Sequence, residues 1–356
     1  MRGFINNGME RKAVMREGRD YAIEVVRFIA TVGIAIFHFE WIYIGHPIYF
    51  AHFYLWVEFF FVLSGFFLVR NILKKNEEGI GYVVQRTMKQ AIKLWKPYII
   101  GFAFCFFVYC IRFQISGLKS VLGLLWNCKW EIIFLQLSSF DGNAPIINGV
   151  TGYIPALLFA SAIITYLLIE HRKLTQNLLI IILPIFIYSH IINVYGNLSQ
   201  WSAYENWYTI GMLRGLAGML VGAGAYIYGE NVKDRLNKWN RVILLCICII
   251  FIVGMVLFRD KISYSDEIIY PYVFSVLVAL IYFRDKKEIH HRIKNVILYL
   301  GKSSYNMFLL HYGICYLFSL FIPEKRYCLI AIVYLSIVIV SGLLLELLFN
   351  VVSKKE

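Results

Sequence analysis

Two residues in the first apolar segment of the chain have side chains that could do chemistry together. Arg27 and His38 are eleven residues apart in the segment 22–42. In an α-helix, eleven residues turn about 20° past three full turns and advance about 16 Å, so both side chains share one face. A cation inside a membrane costs about 2.5 to 3.5 kcal/mol, so we expect Arg27 to face protein or a wet cavity. The pattern predicts His38 along the wall of that cavity.

Glu58 is the predicted partner of His38. It lies in the second apolar segment, 48–69, at a depth comparable to that of His38 if the two helices are antiparallel. A carboxylate beside an imidazole orients the ring and raises its basicity, which suits a general base acting on a hydroxyl group. A packing network that holds the two helices together explains Arg27, His38 and Glu58 equally well.

Four further polar residues lie within apolar segments. His311 is at a depth similar to that of His38, although a lone buried histidine, like His190, is more often a packed residue of a helix bundle. Arg214 lies near the outer end of its segment, where it could contact an anionic acceptor or extend to the lipid headgroups. The Ser64 hydroxyl is a possible nucleophile, but its position towards the cytoplasm gives no reason to place it beside His38.

A basic stripe precedes the third apolar segment. Arg86, Lys89, Lys93 and Lys96 are three, four and three residues apart, so a helix there presents them on one face. The stripe could hold an anionic cofactor, or it could bind anionic lipid headgroups at about 1 kcal/mol per cation. The sequence contains no Gly-rich phosphate loop, so a nucleotide-binding fold is not indicated.

The elements that must position these residues are membrane-spanning helices. Of the 356 residues 60% are hydrophobic and only 16% are charged, which is more apolar surface than one soluble core can bury. We therefore predict an all-α, polytopic integral membrane protein with about ten spans. The apolar windows long enough to cross about 30 Å of hydrocarbon are 22–42, 48–69, 97–113, 151–170, 178–196, 208–228, 242–258, 268–283, 296–321 and 328–351.

The distribution of cations predicts the orientation. With the N-terminus inside, 25 of the 35 Lys and Arg residues fall in inner segments and seven in outer loops, as the positive-inside rule requires. Both termini are then cytoplasmic, with a tail over 1–20, a ten-helix domain over 21–351 and a tail over 352–356. Orientation accounts for most of the net charge of +13, so no nucleic acid is predicted. The seven cysteines have no metal-ligand spacing, so no metal is predicted.

Three motifs in order resemble acyltransferase family 3, the bacterial membrane O-acyltransferases. The first is an acidic residue, Arg and, after ten residues, His, found here as Glu24, Arg27 and His38. The second is an acidic residue before FFVLSGF, found as Glu58 and residues 60–66. The third resembles LGKxSYxxYLLH, matched by residues 300–311 with Phe308 in place of the last Tyr.

This resemblance implies transfer of an acyl group, usually acetyl from cytoplasmic acetyl-coenzyme A, to a hydroxyl group of a surface glycan or a small molecule. His38 carries over as the catalytic histidine and Arg27 as a functional arginine, for which donor binding or scaffolding is expected. Ser64 could carry the acyl group in a two-step reaction, but direct transfer is preferred because nothing places Ser64 beside His38. The family's Arg-x-x-Arg pair, proposed to meet coenzyme A phosphates, is matched by Lys93 and Lys96 before Pro97. The implied location is the bacterial cytoplasmic membrane, with its lipids as partners.

Two other functions fit the same residues. A transporter or flippase of a lipid-linked glycan would use the buried Arg, Glu and His as a polar translocation path. The chain has neither detectable inverted repeats nor paired broken helices in matching halves, which disfavours this interpretation. A non-catalytic relative that binds a glycan would keep the bundle but tolerate the replacement of His38.

Overall fold

The computed structural model describes residues 20–74, 79–135, 146–205, 208–285, 289–322 and 327–352. The N-terminal tail therefore lies outside the described residues up to position 19, and the C-terminal tail lies outside them from position 353. The predicted tail and domain boundaries stay predictions.

The described residues form α1 to α13 in chain order. The α-helices are Tyr21–Phe39 (α1), Trp56–Leu73 (α2), Ile80–Arg112 (α3), Leu118–Asn127 (α4), Lys129–Ile132 (α5), Tyr153–Glu170 (α6), Arg172–Leu174 (α7), Ile180–Tyr195 (α8), Ile210–Val232 (α9), Lys238–Leu257 (α10), Ile269–Tyr282 (α11), His291–Phe321 (α12) and Tyr327–Val352 (α13). Single turns of π-helix occupy Glu40–Ile44 and Thr175–Leu179, and 3₁₀ turns occupy Phe53–Leu55 and Tyr264–Ile268. Two antiparallel strands, Tyr204–Glu205 (β1) and Tyr208–Thr209 (β2), form a short hairpin.

Nine helical segments of the described chain are long and apolar enough to cross a membrane. They coincide with nine of the ten predicted windows. The tenth window, 296–321, lies within α12, a 31-residue helix whose length of about 46 Å exceeds the hydrocarbon thickness. Polar residues 302–306 near the middle of α12 lower its hydropathy. The prediction of an all-α polytopic membrane protein is confirmed.

Two groups of helices build the bundle. In one group, α9 packs against α2, α6 and α8, and in the other α12 packs against α1, α3 and α13. The 33-residue α3 is longer than a membrane span needs, so its basic first half extends beyond the apolar part. The two groups meet along α1, α2, α3 and α6, which line the cavities described below.

Helices α2 and α9 approach each other through glycines. A Cβ atom at Gly222 would overlap the carbonyl oxygen of Val62, and one at Gly65 would overlap that of Met219. Backbone atoms of a packed helix cannot move aside as a side-chain end can. Small residues at such a crossing let two helices pack at short range in a membrane protein.

We expect Gly222→Ala to destabilise the bundle by about 1 to 3 kcal/mol, because the added methyl group forces α2 and α9 apart. Thermal melting of the purified protein in detergent measures the effect. Gly254→Ala on α10 is the matched control, since its nearest neighbour is a side-chain atom of Phe258 at 3.9 Å. Equal melting temperatures for the two variants would show that the contact between Gly222 and Val62 does not determine how closely α2 and α9 pack.

Candidate active site

His38 lies on the last turn of α1, directly before the π-helical turn Glu40–Ile44. Its Nδ1 atom is 2.9 Å from the carbonyl oxygen of Ile34, one turn earlier. A carbonyl oxygen only accepts, so Nδ1 carries the proton. The other ring nitrogen, Nε2, is then the unprotonated one in the neutral ring. A histidine in this tautomer can accept a proton at Nε2.

His311 on α12 is the side chain that the structure brings to His38. Its Nε2 lies 3.3 Å from Nδ1 of His38, and its own Nδ1 lies 2.7 Å from the Phe308 carbonyl oxygen. By the same reasoning His311 Nδ1 carries its proton, and Nε2 offers a lone pair to the Nδ1–H of His38. The two rings therefore form a dyad in which His311 and Ile34 both hold the His38 ring.

Glu58 is paired with Arg214 and not with His38, so the predicted pairing is wrong. Arg214 Nε donates to one carboxylate oxygen of Glu58, and the Tyr188 hydroxyl donates to the other at 2.5 Å. Both charges are buried. A buried charge is stabilised more by an opposite charge than by a neutral imidazole ring. Comparable depth did not fix which face of α2 the carboxylate occupies.

Arg214 is a buried residue of the bundle, so extension to the headgroups is excluded. Its Nη2 atom donates to the Tyr54 carbonyl oxygen at 3.2 Å. Glu58 and Tyr54 thus fix the guanidinium group between α2 and α9. Arg214 nonetheless lines the same cavity as His38, which is the location that contact with an acceptor requires.

This cavity, which we call the histidine cavity, has a volume of about 930 Å³. Aromatic, amide and hydroxyl side chains line it together with His38 and Arg214. They include Trp41, Asn197, Ser199, Gln200, Trp201, Tyr264 and Tyr312. Several belong to loops that the positive-inside prediction places on the outer face. Flat rings beside hydrogen-bonding groups suit a polar molecule with ring faces, such as a sugar.

A second cavity, which we call the basic cavity, has a volume of about 1040 Å³. It lies towards the end of the bundle that is predicted to be cytoplasmic. The structure brings to its wall six of the residues that the sequence singled out: Arg27, Ser64, Arg86, Lys89, Lys93 and Lys96. The predicted basic stripe of α3 therefore lines a cavity that is open at the surface, since Lys89, Lys93 and Lys96 are exposed.

Arg27 and His38 line different cavities, so the prediction that they share one cavity is wrong. The two side chains are on one face of α1, but the rise of about 16 Å between them separates them along the helix. Arg27 forms an ion pair with Glu24 at 3.3 Å, and 26% of its side chain is exposed. Ser64 is likewise in the basic cavity, where its hydroxyl lies 3.3 Å from that of Tyr153. No hydrogen bond between Ser64 and His38 occurs in the described structure, so the geometry offers no serine–histidine pair.

Residues 20–350 match acyltransferase family 3, described as an acyltransferase domain. The chain belongs to this family. It is a multi-pass membrane acyltransferase, and the resemblance stated from its three motifs is confirmed. Searches of curated proteins and of solved structures gave no significant match.

Buried carboxylates hold the loops that are predicted to be outer in this acyltransferase, and sequence reasoning missed them. Glu40 accepts hydrogen bonds from the backbone N–H groups of residues 48–50. Glu131 accepts from the N–H groups of Ile147 and Asn148, and Glu267 accepts from that of Leu198. A glutamate within or directly beside an apolar run is the signal that could have revealed them. Within the described residues, no group of three or more His, Cys, Asp or Glu side chains is arranged for a metal.

His52 joins two of these loops at the rim of the histidine cavity. Its Nδ1 lies 3.2 Å from a carboxylate oxygen of Glu267, and its Nε2 lies 3.1 Å from the Arg259 carbonyl oxygen. Two acceptors favour the doubly protonated ring. Burial opposes its charge, but these hydrogen bonds and the charges of Glu267 and Asp260 outweigh burial and raise the pKa of His52 above 6.5.

We expect the acyltransferase to lose stability as the pH rises through the folded-state pKa of His52. A pKa that is higher in the folded state stabilises the fold, and this stabilisation is complete below about pH 6.5, where His52 is protonated in the unfolded state as well. The stabilisation is lost as the pH rises through the pKa of His52 in the folded state. Melting temperatures from pH 6 to 9 should therefore fall more for the wild type than for His52→Gln. If the melting temperatures of the two proteins change equally with pH, His52 is not charged in the folded protein.

Proposed function

We propose that the chain transfers a short acyl group, acetyl in the first instance, from cytoplasmic acyl-coenzyme A to a hydroxyl group of a glycan or a related small molecule at the outer face of the bacterial cytoplasmic membrane. The observation that carries the proposal is the position of His38 beside the meeting point of two unlike cavities. One cavity is lined by cations on the predicted donor side, and the other by aromatic and amide side chains on the predicted acceptor side.

His38 is the general base of the proposed reaction. Its Nε2 atom takes the proton of the acceptor hydroxyl as that oxygen attacks the thioester carbonyl carbon. The new C–O bond forms, the C–S bond breaks, and the imidazolium returns its proton to the departing thiolate as coenzyme A thiol. His311 and the Ile34 carbonyl keep Nδ1 protonated, so Nε2 is the nitrogen available to the hydroxyl.

The basic cavity suits the phosphates of the donor. The buried Nε–H of Arg86 has no hydrogen-bond partner among the described residues, and a buried donor left unpaired costs about 1 to 3 kcal/mol. A phosphate oxygen would satisfy it. Lys89, Lys93 and Lys96 add positive charge along the same wall, and Arg27 lies deeper, where it can bind the donor or shape its path.

Arg214 is proposed to act on the acceptor. A guanidinium group has five N–H donors, and in the described structure Glu58 and the Tyr54 carbonyl oxygen take one each. Further N–H groups can donate to acceptor oxygens in the histidine cavity. Ser64 lines the basic cavity, and its hydroxyl contacts Tyr153 and has no hydrogen bond to His38 in the described structure. With no base to activate that hydroxyl, direct transfer without an acyl-serine is the proposed route.

We expect the double variant Lys93→Gln, Lys96→Gln to bind acetyl-coenzyme A about 10- to 100-fold more weakly, because each lysine removed takes away a charge-assisted contact. Calorimetric titration of the purified protein with acetyl-coenzyme A measures the dissociation constant. Lys238→Gln is the control, since Lys238 is an exposed cation on the same predicted face and does not line the cavity.

Unchanged binding by the double variant would place the donor elsewhere. A transporter would bind no donor at all and would leave the thioester intact. A non-catalytic relative could bind acetyl-coenzyme A but would release no thiol when supplied with membranes that contain acceptor. Thiol release, measured beside binding, therefore separates the three functions.

A further inference from the structure

Four side chains line both cavities. Ile34, Val57, Tyr153 and Phe308 contribute to the wall of the basic cavity and also to the wall of the histidine cavity. They come from α1, α2, α6 and α12, so the two groups of helices meet here. We call these four the boundary residues, because they are the described lining residues that the two cavities share.

The two aromatic boundary residues hold each other in place. The rings of Tyr153 and Phe308 are 6.0 Å apart in an edge-to-face arrangement. The Tyr153 ring also packs against Phe61 at 4.7 Å, and its hydroxyl lies 3.3 Å from that of Ser64. Packing of this kind keeps both rings in defined rotamers, so the space between them has a defined size.

The boundary lies next to the base. Ile34 supplies the carbonyl oxygen that binds Nδ1 of His38, and the Phe308 ring is 5.8 Å from that of His311. In the proposed reaction the thioester carbonyl carbon must come within reach of a hydroxyl held by His38. The carbons of the acyl chain beyond that carbonyl must then fit among the boundary residues or against the rings beside them.

We propose that the boundary residues, with Phe308 foremost, set the length of the acyl chain that the enzyme transfers, so that it accepts acetyl and rejects chains of four or more carbons. This inference rests on the proposed function. Phe308 is buried and apolar, so its ring fills volume that an added methylene group would need. A hydrophobic pocket of fixed size discriminates by about 10- to 200-fold per methylene group.

The test uses membranes from cells that express the full chain, because these membranes carry hydroxyl acceptors of the host. Radiolabelled acetyl-, butyryl- and hexanoyl-coenzyme A are supplied, and alkali-labile label in the membrane is counted. For Phe308→Ala we expect the butyryl-to-acetyl ratio of initial rates to rise at least about tenfold over the wild type. Phe308→Leu, which removes less volume, should give a smaller rise in the same direction.

Phe318→Ala is the matched control, because Phe318 is a buried residue of α12 that lines neither cavity. It should leave the ratio unchanged even if it lowers the amount of folded protein, since a ratio of rates does not depend on that amount. Val57→Phe provides a test in the opposite direction and should lower the ratio further.

The outcomes distinguish the two levels of the proposal. If the wild type transfers none of the three acyl groups above the level of membranes without the protein, the proposed function fails. The wild type could instead transfer acetyl and have the same butyryl-to-acetyl ratio as all three variants, Phe308→Ala, Phe308→Leu and Val57→Phe. The proposed function would then stand, but the boundary residues would not select the acyl chain. A wild type that transfers hexanoyl as fast as acetyl overturns the inference directly.

Discussion

Replacement of His38 by alanine is expected to lower the rate of acyl transfer by about 10²- to 10⁴-fold, which is the contribution of a positioned general base. The variant should still bind acetyl-coenzyme A, because His38 does not line the basic cavity. Thiol release and donor binding, measured on the same preparation, separate a loss of chemistry from a loss of folding. An unchanged rate would remove His38 from the reaction.

His190→Ala is the control for this substitution. His190 is also a histidine of an apolar helix, but 41% of its side chain is exposed and it lies 3.5 Å from Glu205, away from the dyad. We expect transfer at close to the wild-type rate. His311→Ala should give an intermediate loss, because it removes one acceptor that orients Nδ1 of His38 and leaves the Ile34 carbonyl oxygen in place.

Removal of the Glu58 carboxylate is expected to destabilise the protein by about 3 to 5 kcal/mol, since it leaves the Arg214 charge buried without its partner. Thermal melting of Glu58→Ala in detergent measures the loss. The double variant Glu58→Leu, Arg214→Met should recover much of it, because an apolar pair of similar volume avoids the cost of burying either charge.

The ion pair of Glu230 and Lys233 is the control for this second prediction. It is exposed, and exposed pairs contribute little to stability, so Glu230→Ala should melt close to the wild type. If the melting temperature of Glu58→Ala is also close to that of the wild type, the fold does not need Glu58 to neutralise the buried charge of Arg214. Recovery of folding by the double variant without recovery of transfer would show that the Glu58–Arg214 pair is needed for the reaction as well as for the fold.

Helical periodicity predicted the parts of the site that lie on one helix. A repeat of 3.6 residues per turn is enough to place Arg27 and His38 on one face of α1. The same repeat places the stripe from Arg86 to Lys96 on one face of α3. The structure places the stripe on one cavity, as predicted, whereas Arg27 and His38 line two different cavities. The spans themselves followed from apolar length, because lipid leaves few alternatives to a helix.

Contacts between distant helices were not predictable in the same way. His38 meets His311 across 273 positions, and Glu58 meets Arg214 across 156. Depth in the membrane makes such pairs possible, but the rotation of each helix decides which of them forms. Glu58 and His38 had matching depths, yet α2 turns the carboxylate towards α9. Nothing in a single sequence reports that rotation.

The most direct test of direct transfer by His38 follows labelled acetyl groups from acetyl-coenzyme A into membranes that contain either the wild type or His38→Ala, at equal amounts of folded protein. We expect alkali-labile ester in the wild-type membranes, with free coenzyme A thiol released in equal amount, and neither product above background with His38→Ala. Equal ester formation by the two proteins, or label bound to Ser64 before any acceptor is added, would contradict direct transfer with His38 as the base.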